Sequence, residues 1–134
     1  MPTPVTIGIL GLGHLGAAIA DGLRQSTFKN QLLLFDHHET KRKKYPPNLI
    51  ASSATNLAKE ATVLILAIRP QQALETIETM HQLLNQTLVC SPVAGLTCAQ
   101  LTSALPNSLI VRCMPNLAAA QNMSPTGLYT SNAL

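Results

Sequence analysis

Three glycines near the start of the chain, Gly11, Gly13 and Gly16, have the spacing G-x-G-x-x-G. In a dinucleotide-binding turn each has its own purpose. The first permits a tight turn, the second lets backbone approach a pyrophosphate, and the third lets a helix pack close to a strand. The free N–H groups at the start of that helix hold the anion. Because glycines recur in many turns, the spacing needs support from the residues around it.

The residues on both sides of the glycines give that support. An apolar, β-branched run from Val5 to Leu10 predicts a strand, and apolar residues at helical spacing from Leu15 to Leu23 predict a helix. An acid that binds ribose is expected about 20 residues further on, at the end of the second strand. Asp36 stands there, at the end of the run QLLLFD. The sequence therefore predicts a dinucleotide site rather than a plain turn.

The identity of the dinucleotide stays open between NAD and NADP. Asp36 should accept hydrogen bonds from the adenosine ribose hydroxyls, which favours NADH slightly because a carboxylate repels a 2′-phosphate. A basic run, Lys41 to Lys44, follows closely after His37 and His38 and would neutralise that phosphate in NADPH. The alternative for the basic run is a solvated loop, which is the usual place for such a run of charges.

The elements that must position these residues alternate along the whole chain. Nearly continuous apolar runs are typical of strands buried on both faces of a parallel sheet. Their order predicts an α/β fold, a Rossmann-type doubly wound, mostly parallel sheet with helices on both faces, as one dinucleotide-binding domain over residues 1–134. A capping box, Thr97 with Gln100, marks one helix start. The predicted strands are 5–10, 31–36, 62–68, 87–93, 108–114, a weak 126–131 and a short 49–53; the predicted helices are 15–23, 55–61, 70–86 and 96–105, with a loop at 37–48.

Composition narrows the classes of function. Only 11% of the 134 residues are charged, against ~25% in typical domains, which indicates that a ligand or a partner covers part of the surface. The net charge is +3, with four of the nine Lys and Arg residues in Lys41–Lys44, so the sequence predicts no broad basic face for nucleic acid. The longest apolar run, VLILAI, is too short to span a bilayer, and the first residues lack the features of a signal peptide.

The three cysteines, Cys90, Cys98 and Cys113, fit neither a metal site nor a disulfide framework. Their number is odd, and Cys90 and Cys113 lie in apolar runs that are typical of a core. We therefore expect no metal site, and we expect a reducing, cytoplasmic setting.

Four motifs give the chain a family resemblance. In order along the sequence they read IGILGLGHLGAAIADGL, LILAIRPQ, SPVAGLT and VRCMPN. In this order and spacing they resemble Δ1-pyrroline-5-carboxylate reductases, which make proline, over nearly the whole chain from Ile7 to about Tyr129. The resemblance implies a nicotinamide cofactor and a small cyclic imine as substrate.

The resemblance also implies which positions bind. Cofactor positions would be the glycine loop, a polar residue near adenosine, a turn after the third strand that holds the nicotinamide half, and a stretch of small residues that leaves room for the nicotinamide ring. The corresponding residues are Gly11, Leu12, Gly13, His14, Leu15, Gly16, Asn56, Ala67, Ile68, Arg69, Pro70, Gln71, Val93, Ala94 and Gly95, with Met114, Pro115 and Asn116 on the substrate side.

The chain departs from the family in sequence and in length. His14 replaces a common Asn, where it would present only its backbone N–H, Arg69 replaces a Lys of the same charge, and Leu117 stands in the substrate-side loop. Pro92 should end its strand. The family's C-terminal helical domain, which forms the dimer and most of the imine pocket, is expected to be absent from residues 1–134.

Three functions stay open on these observations. The first is a pyrroline-5-carboxylate reductase represented by its cofactor domain, an oxidoreductase in which hydride passes from nicotinamide to the C=N carbon and no catalytic side chain is needed. The second is a related oxidoreductase of the F420-dependent NADP reductase or β-hydroxyacid dehydrogenase type, against which RPQ and MPN argue. The third is a dinucleotide-binding module without catalysis. We expect the chain alone to be inactive and to self-associate through exposed apolar surface.

Overall fold

The structure, a computed structural model, describes residues 4–26, 31–84, 86–93, 95–115, 117–124 and 126–130. The strands in these ranges are β1 (Thr6–Leu10), β2 (Gln31–Phe35), β3 (Val63–Leu66), β4 (Leu88–Ser91), β5 (Leu109–Met114) and β6 (Gly127–Tyr129). The α-helices are α1 (His14–Gln25), α2 (Glu39–Arg42), α3 (Ala54–Glu60), α4 (Pro70–Met80) and α5 (Cys98–Ala104). Two short 3₁₀ helices span Pro47–Leu49 and Leu117–Gln121.

The strands form one sheet in the order β2-β1-β3-β4-β5-β6. Neighbouring strands are parallel except β5 and β6, which are antiparallel. From β1 the chain first adds β2 on one side and then β3 on the other, so the strand order reverses at β1. This arrangement confirms the predicted doubly wound, mostly parallel α/β fold.

Apolar side chains pack on both faces of the sheet. Successive residues of a strand point to opposite faces. Leu64 and Leu66 belong to one core cluster, which also contains side chains of α3, α4 and α5, whereas Ile65 packs against a second cluster that contains Ala20 of α1. Helices therefore cover both faces, which is why the strand sequences are apolar almost without interruption.

The start of α5 and the end of β4 follow the predicted local signals. The Thr97 hydroxyl accepts a hydrogen bond from Gln100 N–H at 3.1 Å, and the Gln100 side-chain oxygen accepts one from Thr97 N–H at 2.9 Å. These two bonds are the predicted capping box. β4 ends at Ser91, directly before Pro92, as the missing N–H of proline predicts.

The predicted helix 70–86 is too long. α4 begins at Pro70 as predicted but ends at Met80. Leu84 lies beyond the helix and is still buried in the core. Its spacing from the apolar residues of α4 resembles that of a helix, but the chain around it forms a buried turn. Gln86 then has a φ of +61°, a conformation that a continuing α-helix does not adopt.

The segment between β2 and α3 contains more structure than the predicted loop 37–48. It includes α2 and the 3₁₀ helix Pro47–Leu49. The α-helix ends before Pro46 and Pro47, in agreement with the expectation that this pair prevents a helix from continuing.

The predicted short strand 49–53 is wrong as a strand. Only Ile50 bridges the sheet, in a parallel pair with Leu34. The chain leaves the sheet at once because Ser53 is the N-cap of α3, and its side chain accepts a hydrogen bond from Asn56 N–H.

The described residues contain no candidate metal centre. No group of three or more His, Cys, Asp or Glu side chains in these ranges is arranged to hold an ion. The three cysteines are free thiols. Burial raises the pKa of Cys90, and burial together with the neighbouring Cys90 raises the pKa of Cys113 to about 11, so both thiols stay protonated at neutral pH.

None of the helices in the described part of the chain has both the length and the apolar character required to cross a membrane.

Candidate dinucleotide site

The glycine loop leaves the carboxyl end of β1 beside the carboxyl end of β3. In an open α/β sheet, ligands bind outside the carboxyl ends of the strands at the point where the strand order reverses. Backbone hydrogen bonds fix both loops to the sheet. Gly11 N–H donates to the Phe35 carbonyl at 2.8 Å, and Ala67 N–H donates to the Leu10 carbonyl at 2.8 Å. The two loops are therefore held side by side where a dinucleotide is expected.

Two of the three glycines are required by the packing of the protein itself. Gly11 has a φ of +103°, and a Cβ atom on it would overlap the carbonyl oxygen of Ala67. A Cβ atom on Gly16 would overlap the carbonyl oxygen of Gly11 and lie 3.1 Å from the Ala67 Cβ. α1 therefore packs directly on the loops after β1 and β3, which is the role predicted for the third glycine.

Gly13 differs from the other two glycines, because a Cβ atom on it would meet nothing within 4 Å. It is the N-cap of α1, where no side chain caps the first turn and no acidic residue is present. The carbonyl of Gly13 accepts from Ala17 N–H at 2.9 Å, so the N–H groups before Ala17 have no intrahelical acceptor. His14 is exposed and begins the helix. The open space and the uncapped turn fit the pyrophosphate of a dinucleotide.

Asp36 follows β2 as predicted, but its carboxylate is directed inward. Asp36 Oδ2 accepts a hydrogen bond from Leu12 N–H at 2.8 Å. Oδ1 accepts one from His38 N–H at 2.8 Å and lies 3.0 Å from His38 Nδ1. Burial alone would raise the pKa of Asp36, but the bonds from Leu12 and His38, with Lys41 nearby, outweigh burial and hold that pKa below its ordinary value. The ribose role predicted for Asp36 thus competes with a structural one.

The basic run after β2 is partly structural. Arg42 Nη1 donates to the main-chain carbonyls of Asp36 at 2.7 Å and of His37 at 3.0 Å. Lys43 Nζ lies 3.3 Å from the Glu39 carboxylate one helical turn away. The run is therefore not a disordered stretch of like charges, since two of its members fix or pair with neighbouring groups.

The turn after β3 holds four of the predicted positions together. Ala67 and Ile68 are half-buried, whereas Arg69 and Pro70 are exposed. Arg69 is the N-cap of α4 and Pro70 its first residue, where the missing N–H of proline is tolerated. Through Ala67, this turn borders Gly11 and the glycine loop directly.

Asn56 is engaged within its own helix. It lies in the first turn of α3, where its N–H donates to the Ser53 hydroxyl at 3.0 Å and its side-chain oxygen accepts from Ser52 N–H at 3.3 Å. The side chain thus stabilises the start of α3, and its role beside adenosine stays a prediction.

Of the other predicted nicotinamide and substrate positions, Gly95 follows β4, Met114 ends β5 and Pro115 follows β5. Gly95 has a φ of +82°, and a Cβ atom on it would meet nothing within 4 Å. Met114, at the end of β5, is 66% exposed, and Pro115 is half-buried. Ala94 and Asn116 lie outside the described residues. The binding roles of all five positions stay predictions.

The contact between α1 and the 3₁₀ helix Leu117–Gln121 was not predicted from the sequence. A Cβ atom on Gly22 would overlap the carbonyl oxygen of Ala119. The segment after β5 therefore packs directly on the helix that begins at the glycine loop. The available signal is an isolated glycine inside a helical pattern, which usually has a packing reason.

Comparison with known proteins agrees with this geometry. A family model described as NADP oxidoreductase, coenzyme F420-dependent, matches residues 6–95. The chain belongs to this family. It is also similar to the pyrroline-5-carboxylate reductase of Pseudomonas aeruginosa, with 30% identity over 138 residues, covering 98% of this chain and 50% of the relative. The resemblance to pyrroline-5-carboxylate reductases is confirmed by this relative.

Solved structures of pyrroline-5-carboxylate reductases share the fold. The enzyme of Coxiella burnetii superposes with a TM-score of 0.88 at 24% identity, covering 98% of this chain and 52% of that one. The Plasmodium falciparum pyrroline carboxylate reductase, solved with NADP bound, gives a TM-score of 0.82 at 22% identity, covering 97% of this chain and 49% of that one. The chain spans about half the length of the curated relatives it matches.

Proposed function

We propose that the chain is the cofactor-binding half of an oxidoreductase of the pyrroline-5-carboxylate reductase type, with a nicotinamide dinucleotide bound at the glycine loop. The contrast among the glycines carries this proposal. Packing demands Gly11 and Gly16 but leaves Gly13 beside open space. Since the protein itself puts no atom near a Gly13 side chain, a ligand that approaches the backbone explains the glycine. The NADP-bound structure of the P. falciparum relative supports a dinucleotide.

The proposed chemistry needs positioning rather than a catalytic side chain. When bound, a reduced nicotinamide would supply the hydride that reduces the C=N bond of a cyclic imine, and the imine nitrogen would take its proton from water. The N–H groups of the first turn of α1 would hold the pyrophosphate, and the turn Ala67–Pro70 would border the nicotinamide half. Gly95 would leave room for the nicotinamide ring. We propose no acid, base, nucleophile or metal for this reaction.

We place most of the imine pocket outside residues 1–134. The resemblance implies a helical domain that supplies the dimer contacts and most of that pocket, and the relatives are about twice as long as this chain. Leu128 on β6 is 72% exposed and Met114 on β5 is 66% exposed. This apolar surface is where we propose that the helical domain packs. In this proposal residues 1–134 are the cofactor domain, and the cytoplasmic setting stays a prediction.

NADH and NADPH both stay candidates for the cofactor. The predicted ribose contact of Asp36 favours NADH, and the basic run Lys41–Lys44 favours NADPH. Arg42 and Lys43 are already engaged with protein groups, which weakens the second argument. The inward carboxylate of Asp36 weakens the first.

A second candidate function is a reductase of the F420-dependent NADP type. The family model over residues 6–95 favours it. The relatives that match over nearly the whole chain are pyrroline-5-carboxylate reductases, and this observation favours the first candidate. A dinucleotide-binding module without catalysis is the third candidate, and the assay below separates all three.

The test is a spectrophotometric assay of NADH and NADPH oxidation with pyrroline-5-carboxylate. We expect negligible turnover by the chain alone, because most of the proposed pocket that positions the imine lies outside residues 1–134. Positioning of the reactants can account for ~7–11 kcal/mol of a reaction barrier. A chimera that joins residues 1–134 to the helical half of the P. aeruginosa reductase should be active. Turnover by the chain alone within about tenfold of a full-length reductase, ~1.4 kcal/mol in barrier, would contradict the two-domain proposal. A chimera that binds cofactor but reduces no imine would favour the module, and NADP reduction by reduced F420 would favour the second candidate.

A further inference from the structure

We propose that Asp36 is a positioning residue for the glycine loop, acting through Leu12 N–H, and that it does not select between NADH and NADPH. This inference rests on the proposed dinucleotide site. The sequence fingerprint assigns the acid after β2 to the adenosine ribose, where it favours NAD. The structure gives the carboxylate of Asp36 other partners.

The acceptor sites of the carboxylate are largely occupied. An ionised carboxylate offers about four lone-pair sites. His38 N–H donates to Oδ1 and Leu12 N–H donates to Oδ2. His38 Nδ1 lies 3.0 Å from Oδ1 and donates a third bond in the tautomer that is protonated at Nδ1. The Asp36 side chain is 9% exposed. Little of the carboxylate surface is therefore accessible to a ribose hydroxyl. The exposed ring of His38 lies against Oδ1 of this carboxylate.

The inward bond acts on the loop that would hold the pyrophosphate. Leu12 stands between Gly11 and Gly13, and its side chain is buried in the core cluster that contains Ile9 and Leu34. The backbone of Leu12 is thus fixed by the carboxylate, and its side chain is fixed by the core. Hydrogen bonds to an ionised acceptor are shorter and stronger than neutral ones. The carboxylate therefore sets the path of the loop just before the first turn of α1.

Asp36 is itself held from the opposite side. Its main-chain carbonyl accepts a hydrogen bond from Arg42 Nη1 at 2.7 Å, and the Arg42 guanidinium carbon lies 5.4 Å from the centre of the Phe35 ring. With the carbonyl fixed by α2 and the carboxylate by Leu12, the residue connects the end of β2 rigidly to the glycine loop.

This role predicts a specific pattern of cofactor binding. The pyrophosphate is common to NADH and NADPH, so a displaced glycine loop weakens both cofactors alike. A carboxylate at the ribose would instead discriminate between them, because it accepts from the 2′-hydroxyl and repels a 2′-phosphate. The ratio of the two dissociation constants therefore separates positioning from ribose recognition.

The experiment measures the dissociation constants of NADH and NADPH by calorimetry for the chain and three variants. Asp36→Ala removes the acceptor, and Asp36→Asn keeps one oxygen for Leu12 N–H without the charge. Glu60→Gln makes the same charge change at an exposed site at the end of α3. We expect Asp36→Ala to weaken both cofactors about tenfold or more, ~1.4 kcal/mol, with little change in their ratio. Asp36→Asn should recover part of that loss for both cofactors, and Glu60→Gln should match the original chain.

A spectroscopic readout keeps the test decisive where a variant is less stable. In a ¹H–¹⁵N spectrum the Leu12 amide resonance should shift strongly upfield in Asp36→Ala and less in Asp36→Asn, while resonances of the α1 interior stay in place. A shift of about tenfold in the ratio toward NADPH in Asp36→Asn, ~1.4 kcal/mol, would overturn the inference and restore the ribose role. If the original chain binds neither cofactor, the dinucleotide site itself is wrong, which is a separate result.

Discussion

The loops at the carboxyl ends of β1 and β3 are more tightly packed than the edge of the sheet formed by β6. At the carboxyl ends of β1 and β3, Gly11, Gly16 and Ala67 are in direct contact, and the only glycine of the motif beside open space is Gly13. At the edge of the sheet, β6 has three residues, all exposed, with Leu128 at 72% and Tyr129 at 62%.

This difference in packing distinguishes the cofactor end, which the chain forms by itself, from the β5–β6 edge, which needs another surface to cover it. The geometry of the cofactor end follows from contacts within the described residues, and a Cβ atom at Gly13 would meet no protein atom within 4 Å. The β5–β6 edge presents apolar side chains to solvent, which costs hydrophobic free energy unless another surface covers them. We therefore expect cofactor binding to be a property of this chain and substrate binding to need a partner surface.

The largest expected effect comes from a methyl group added on the packed side of the glycine motif. In most helix interiors Gly→Ala stabilises by about 0.5–1 kcal/mol. Gly16→Ala should instead destabilise by about 3 kcal/mol or prevent folding, because its Cβ would overlap the Gly11 carbonyl. Urea unfolding measures the free energy of unfolding. Gly13→Ala is the matched control and should change it by about 1 kcal/mol or less, the usual loss of an N-cap. Equal stabilities for the two variants would remove the contrast between these glycines.

The next effect tests the exposed edge. We expect the chain to self-associate through β6, so Leu128→Lys should raise the dissociation constant of the dimer at least about tenfold, ~1.4 kcal/mol, since it puts a charge on an apolar edge strand. Sedimentation velocity over a range of concentrations measures this constant. Leu74→Lys on α4 is the control, because Leu74 is also an exposed leucine, at 43%, away from this edge. A chain that stays monomeric at all concentrations would contradict the role given to the edge.

The smallest effect concerns the acid side of the pH scale. The pKa of Asp36 lies below its ordinary value of 3.8 in the folded chain, so folding favours the ionised carboxylate. Its contribution to stability is fully present above the ordinary pKa and is lost as pH falls through the lower folded pKa. The difference in unfolding free energy between the chain and Asp36→Asn should therefore shrink in that window, with a slope of at most about 1.4 kcal/mol per pH unit. A difference that stays constant from neutral pH to below the folded pKa would show that the carboxylate is not stabilised by its partners.

Local sequence signals predicted most of the fold, including the elements on both sides of the glycine turn at the proposed site. The strand, glycine turn and helix, the capping box at Thr97 and the strand end before Pro92 depend on residues close together in sequence, so pattern and spacing suffice. The length of α4 could not be predicted, since the burial of Leu84 in a turn imitates helical spacing.

The orientation of Asp36 and the contact of Gly22 required the structure. Spacing placed Asp36 correctly after β2, but its inward direction depends on the turn that brings His38 N–H to the carboxylate and on Leu12 from another loop. The approach of Ala119 to Gly22 joins segments far apart in sequence. Such contacts between distant segments leave little trace in the local pattern of a single sequence.

The most direct test of the dinucleotide site at the glycine loop is calorimetric titration of NADH and NADPH into the chain and into Gly13→Val. We expect binding by the chain and a loss of at least about tenfold in affinity for Gly13→Val, ~1.4 kcal/mol, because the valine side chain would occupy the pyrophosphate position. The free energy of unfolding should change by only about 1 kcal/mol, since a Cβ atom at Gly13 meets no protein atom within 4 Å. Equal affinity for the cofactors in the two proteins would show that the dinucleotide does not bind at the open space beside Gly13.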